Sequence, residues 1–118
     1  MSRVLIDTSV WISHLRSPNG TLIDLLKQGV AATHSAVIGE LACGSIKNRV
    51  AFLESLGRLK FITEAESKEV IELIERRKLY GKGIGWIDAQ LLASCLISDA
   101  TLFTLDKKLA VISSKLLP

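Results

Sequence analysis

The chain predicts an α/β layered fold built on a mostly parallel sheet. Three observations carry that expectation. Short, nearly all-apolar runs alternate with amphipathic stretches of helical period, as in units whose strands are covered on both faces. Breakers punctuate the alternation at Ser17-Pro18-Asn19-Gly20, at Gly29 and at Gly81, Gly83 and Gly85. Acids close two of the apolar runs, Asp7 after Val4-Leu5-Ile6 and Asp106 after Leu102-Phe103-Thr104-Leu105. In parallel sheets that carboxyl edge is where ligands gather.

The elements follow in order. Arg3–Ile6 reads as the first strand, and Ser9–Leu15 as a helix that Pro18 and Gly20 end. Thr21–Gln28 is a second helix, with Leu22, Leu25 and Leu26 on one side and Gly29 as its stop. Val30–Thr33 is a short strand, and Ser35 is the expected N-cap of the helix that carries Glu40. Arg49–Leu56 is helical, and Leu59–Ile62 is a strand. Glu66–Leu79 is the longest amphipathic helix, with Val70, Leu73 and Ile74 inward and Glu72 spaced to pair with Arg76. The three glycines then make a flexible connection to the apolar helix Ile87–Ile97. Ala100–Leu105 is the last strand, Ser98-Asp99 the turn before it, and Lys107–Ile112 a short final helix.

Composition narrows the class. At 118 residues, 48% hydrophobic and 23% charged, the chain reads as one folded domain over residues 1–118 with a single core. No apolar run is long enough to cross a bilayer, and the N-terminus meets Asp7 too soon for a secretory signal. The expected location is the cytoplasm. Cys43 and Cys95 lie in apolar helical segments and read as reduced core residues. A net charge of +3 is compatible with a polyanionic partner.

Four acids stand on hydrophobic flanks: Asp7, Glu40, Asp88 and Asp106. Such carboxylates are costly to desolvate unless something positive or hydrogen-bonding meets them. Two of them about 4 Å apart would repel by roughly 4 kcal/mol at an effective dielectric near 20. One shared divalent cation removes that repulsion, and all-oxygen ligation favours Mg²⁺ or Mn²⁺. His14 and His34 lack the spacing of a zinc site and read as structural.

Here a resemblance becomes clear. Asp7-Thr8-Ser9-Val10-Trp11-Ile12 resembles the opening motif of the PIN-domain nucleases, specifically the VapC-type toxins of toxin–antitoxin pairs. Gly39-Glu40-Leu41 resembles that family's second acidic motif. Ile87-Asp88-Ala89-Gln90-Leu91-Leu92-Ala93 resembles the third, and Leu102-Phe103-Thr104-Leu105-Asp106 the fourth. The ordered set spans nearly the whole chain. The resemblance implies a PIN-like three-layer α/β/α fold and Mg²⁺- or Mn²⁺-dependent hydrolysis of RNA to a 3′-hydroxyl and a 5′-phosphate. It implies Asp7, Glu40, Asp88 and Asp106 as the catalytic, metal-binding quartet, with Thr8 and Thr104 as supporting hydroxyls. It further implies a VapB-like antitoxin partner and a homodimer.

Each residue also has a plainer reading. Asp7 and Asp106 would cap the helices after them, and Asp88 would be a first-turn acid favoured by the helix dipole. Glu40 would be a solvated helical glutamate, although its apolar neighbours suggest partial burial. Arg76, Arg77, Lys78, Lys82 and Lys107 would be solvated cations, or would contact RNA phosphates beside the acids. Trp11 and Trp86 read as core or interface residues. The rival functions are a receiver-type Mg-binding signalling domain and a non-catalytic module of the same fold. The receiver needs a phospho-accepting aspartate ending a central strand, whereas Val30–Thr33 and Leu59–Ile62 are followed by His34 and Thr63.

Overall fold

A four-stranded, all-parallel sheet organises the computed structural model, which describes residues 2–118. β1 (Val4–Ile6), β2 (Ala31–Thr33), β3 (Lys60–Phe61) and β4 (Thr101–Phe103) lie in the order β3-β2-β1-β4. Helices α1 (Thr8–Arg16) and α2 (Gly20–Lys27) connect β1 to β2. Helices α3 (Ser35–Ala42) and α4 (Arg49–Gly57) connect β2 to β3, and α5 (Ser67–Arg77) and α6 (Trp86–Ser98) connect β3 to β4. α7 (Lys107–Leu116) closes the chain. Every expected strand and helix forms, the last helix running four residues beyond the expected end at Ile112.

The strand order explains the layers. The chain steps from β1 to β2 to β3 in one direction, then returns past both to pair β4 with β1. Right-handed crossovers in opposite directions put their helices on opposite faces of the sheet. The reversal falls between β1 and β4, the switch point at which open α/β sheets bind ligands.

Packing follows from those layers. One apolar cluster joins Leu5, Ile6, Val10, Trp11, Leu22, Ala32 and Val37. A second joins Val70 and Leu73 of α5 to Leu92 and Ala93 of α6 and Leu109 of α7. α6 serves both, giving Leu91 and Cys95 to the first and Ala89, Leu92 and Ala93 to the second. A helix buried on two sides must be apolar nearly all round, and this explains its sequence. Each buried leucine contributes about 1.5–3 kcal/mol, so α6 is held firmly where it carries Asp88.

Local details correct several expectations. His34, not Ser35, is the N-cap of α3: its Nδ1 accepts from the Ala36 N–H at 3.0 Å, while Ser35 Oγ donates to Glu64 Oε1 at 2.5 Å. Cys95 is buried, and burial pushes its thiol up to about 12, whereas Cys43 is exposed at the C-cap of α3. Trp11 is buried and packs edge-to-face on Phe52, but Trp86 stands 44% exposed at the start of α6. Glu72 and Arg76 do not pair; among the described residues the Lys or Arg ion pair is Arg58–Glu54, and His34 Nδ1 lies 4.0 Å from Glu64 Oε1. The glycine-rich connection has defined turns, with Lys78, Gly81 and Gly83 all in left-handed conformations. Gly83 is favoured by its φ of +82°, and a Cβ there would meet the flexible end of Lys108, Cδ at 2.7 Å, which would have to move.

Candidate active site

Register builds the site. Val4 pairs with Thr101, Leu5 with Leu102 and Ile6 with Phe103, so Asp7 and Thr104 leave the sheet side by side. The Asp7 N–H donates to the Phe103 carbonyl at 2.9 Å, the last rung before the chains part. Thr104 Oγ1 then donates to Asp7 Oδ2 at 2.7 Å, and Ser9 Oγ donates to the same oxygen at 2.6 Å. Asp7 is 6% exposed, and those hydroxyls, with no described Lys or Arg beside it, hold its carboxylate. It occupies the N-cap position of α1 but makes no side-chain cap bond, so the plain capping reading fails for this residue.

Ser9, which the sequence assigns to a helix start within the Asp-Thr-Ser motif, is also part of this arrangement. Besides donating to Asp7, its Oγ accepts from the Leu105 N–H at 3.0 Å and ties α1 to the loop after β4. The Asp-Thr-Ser spacing was the available signal: a hydroxyl two residues after a strand-end aspartate reaches back to its carboxylate. Thr104 makes the matching link to Asp106, accepting from its N–H at 3.1 Å.

The other acids arrive from three helices. Asp106 caps α7, with Oδ1 accepting from the Leu109 N–H at 3.0 Å. Asp88, in the first turn of α6, accepts the Gly85 N–H on Oδ2 at 3.3 Å. Glu40 receives the Thr8 hydroxyl on Oε1 at 2.7 Å. It lies nearer the end of α3 than its start, and it is exposed rather than partly buried. α3 packs beside α1, which brings that second turn over Thr8.

These bonds share a pattern. In each of the four acids one carboxylate oxygen is engaged by the chain. Among the described residues no donor reaches Asp7 Oδ1, Glu40 Oε2, Asp88 Oδ1 or Asp106 Oδ2. No described Lys or Arg lies within ion-pair distance of any of them. The acids also sense one another. Partial burial raises the Asp88 carboxyl above its ordinary range, and the charges of Asp7, Asp106 and Glu40 push it further in the same direction. The Gly85 N–H opposes that rise without cancelling it.

The donor set is therefore hard, anionic oxygen, which suits Mg²⁺ or Mn²⁺ and not zinc. No three described His, Cys, Asp or Glu side chains stand close enough to grip one ion directly. That spacing still fits Mg²⁺, which keeps several of its waters and takes only one or two carboxylates directly. The expected basic residues Arg76, Arg77, Lys78, Lys82 and Lys107 are all exposed. Arg77, Lys82 and Lys107 come together on one groove, whereas Arg76 and Lys78 do not line it. His34 and His14 are structural, as expected: each ring accepts a backbone N–H, from Ala36 and Asn19 respectively. No described helix is long and apolar enough to cross a membrane.

Comparison with known proteins places this geometry in a family. A family model of the PIN domain matches residues 4–115. Ribonuclease VapC32 of Mycobacterium tuberculosis, in strains CDC 1551 / Oshkosh and H37Rv, is 46% identical over 107 residues, spanning 90% of this chain and 86% of the relative. Among solved structures, VapBC-1 from nontypeable Haemophilus influenzae superposes with a TM-score of 0.74 at 19% identity, covering 97% of this chain and 94% of that one. DNA-bound VapBC from Salmonella typhimurium gives 0.62 at 17% identity over 80% of each chain. The three-layer sheet architecture is thus the PIN-like fold, and the receiver alternative is set aside. The chain belongs to the PIN-domain family, within its VapC group.

Proposed function

We propose that this chain is an endoribonuclease, the toxin of a VapBC-type pair, and that it works with Mg²⁺ or Mn²⁺ as a single nuclease domain in the cytoplasm. One observation carries the reading: four carboxylates share a neighbourhood, each with one oxygen held by the chain and one without a protein donor. The 46% identical relative named as a ribonuclease supports the reaction class, and the VapBC neighbours support an antitoxin partner.

Asp7 and Asp88 would hold the ion, and Asp106 would complete its shell through water. A bound divalent cation supplies positive charge to the scissile phosphate and lowers the pKa of a neighbouring water. Glu40, fixed on one oxygen by Thr8, orients the attacking water with the other. Thr104, Ser9 and Thr8 fix the carboxylates before substrate arrives, so less reorganisation remains for the reaction itself. Asp88 binds a proton more readily than an ordinary aspartate while the site lacks positive charge, and a cation would return it to the charged form. Arg76, Arg77, Lys78, Lys82 and Lys107 would contact RNA phosphates, offsetting the repulsion between substrate and acids. A second copy of the chain would extend that surface as a homodimer.

The test is cleavage of cellular RNA with Mg²⁺, with Mn²⁺ and with chelator, by the wild type and by Asp7→Asn and Asp88→Asn. Cleavage should need the ion and should vanish in both variants while their folds persist. Wild-type turnover in either variant, or full cleavage in chelator, overturns the corresponding assignment.

A further inference from the structure

A groove lies between α7 and the end of α5, and none of the four acids lines it. α7 lines it with two neighbouring rows at the i, i+4 spacing, Lys107-Val111-Lys115 and Lys108-Ile112-Leu116. Arg77, Leu79 and Lys82 form the opposite wall. The cavity measures about 530 Å³, and Val111 on its floor is 53% exposed. Five cations line it, a third of the 15 Lys and Arg in the chain, and neither an acid nor an aromatic ring does.

We propose that this groove docks an acidic amphipathic helix of a partner protein. Cations gathered without acids call for an anionic occupant. The aliphatic floor decides which kind. Single-stranded nucleic acid binds through a basic track together with aromatic faces for its bases, and no aromatic ring lines this cavity. A helix instead sets its own i, i+4 row between the two rows of α7, as ridge-into-groove packing requires. Its central apolar residue meets Val111 and Ile112. Acids one turn to either side meet Lys107 and Lys108 at one end and Lys115 at the other. α7 spans ten residues, so the matching face is about 15 Å long. Such an occupant would cover Arg77, Lys82 and Lys107, three of the cations offered above to RNA, and would weaken RNA binding by competition. The docking itself does not depend on the nuclease reading, because none of the four acids lines the groove.

The experiment measures fluorescence anisotropy of a labelled peptide of about 16 residues, long enough to hold a helix, carrying Glu-x-x-x-Leu-x-x-x-Glu on one face. A control peptide of equal composition scatters the same residues around the helix, and labelled oligouridylate is the third probe. The full-length chain should bind the patterned peptide at least about tenfold more tightly than the control. Val111→Asp and Lys115→Glu, both exposed, should each weaken that binding about tenfold. Equal affinity for the two peptides overturns the proposal, since charge alone then suffices. Indifference of the patterned peptide to both substitutions overturns it too. So does oligouridylate binding that falls with Lys115→Glu while the peptide fails to bind, which makes the groove a nucleic-acid track. Metal-dependent RNA cleavage by the same wild-type preparation, without peptide, tests the nuclease reading separately.

Discussion

Thr104→Val removes one oxygen and almost nothing else. The shape is kept and β-branching preserves the backbone preference, but Asp7 Oδ2 loses the donor that reaches it at 2.7 Å. Asp7 is 6% exposed, so water has little access to replace that bond. A hydrogen bond to a charged group contributes about 1.5–3 kcal/mol. The Asp106 N–H also loses an acceptor, but that residue is exposed and water takes over. Unfolding entropy of about 2.1 cal/mol/K per residue gives roughly 0.25 kcal/mol per degree for 118 residues, so Tm should fall by about 6–12 °C. Scanning calorimetry without metal measures it. A loosened carboxylate should also bind its ion about ten- to hundredfold more weakly, seen as a rise in the Mg²⁺ concentration for half-maximal cleavage. Ser9→Ala should act similarly, because Ser9 donates to the same oxygen. With both hydroxyls gone the buried carboxylate has no donor, so the double variant should lose more than the two single losses added together. Unchanged Tm and metal titration in Thr104→Val, or strict additivity in the double variant, would refute the claim that the two hydroxyls jointly hold Asp7.

Three further outcomes follow from the geometry. Asp88→Asn should abolish cleavage yet leave the metal-free protein as stable as wild type or more so, because the lost charge is partly buried and repelled by Asp7, Asp106 and Glu40; a lower urea midpoint would contradict this. His34 should make stability pH-dependent. Burial lowers its pKa despite the opposing charge of Glu64, and its Nδ1 must stay unprotonated to accept the Ala36 N–H. The unfolded chain then takes up the proton first, so this stability is present above about pH 6.5 and is lost as the pH falls toward the lower folded pKa. Urea midpoints for wild type should drop from pH 7.5 toward 5.5. His34→Asn, whose amide can still cap, should lose that slope, and an identical slope would exclude His34 as its source. Gly83→Ala should destabilise by about 1–2 kcal/mol through its left-handed φ and should displace the Lys108 side chain; an unchanged unfolding midpoint would count against the strained turn.

The His34–Glu64 contact shows how a distance can mislead. At 4.0 Å it has the spacing of an ion pair, yet the imidazole is buried, its Nδ1 accepts a backbone N–H, and its pKa is lowered. It is a neutral histidine beside a carboxylate. Desolvation acts to raise the Glu64 carboxyl, but the two hydrogen bonds from Ser35 and the proximity of His34 together lower it. The contact helps order the start of α3 without contributing a charge pair.

Much of this protein was legible in local sequence. Short apolar runs, breakers and helical periodicity determined the alternation of strands and helices, because burial pattern and backbone preference act over a few residues at a time. The same locality made the four acids visible, since an acid after an apolar strand needs a reason to be there. Other features depended on residues far apart in the chain. Thr104 reaches Asp7 only because β1 and β4 pair in one register, bringing together residues 97 positions apart in the chain. Glu40 found its hydroxyl through the packing of α3 beside α1, and two rows of α7 became a groove only against the end of α5. Trp86 and Trp11 are the same side chain in similar local settings, yet one is exposed and the other buried. Local sequence sets what each segment can become. Which segments meet is decided by long-range packing, and that energy is shared among residues no local window contains together.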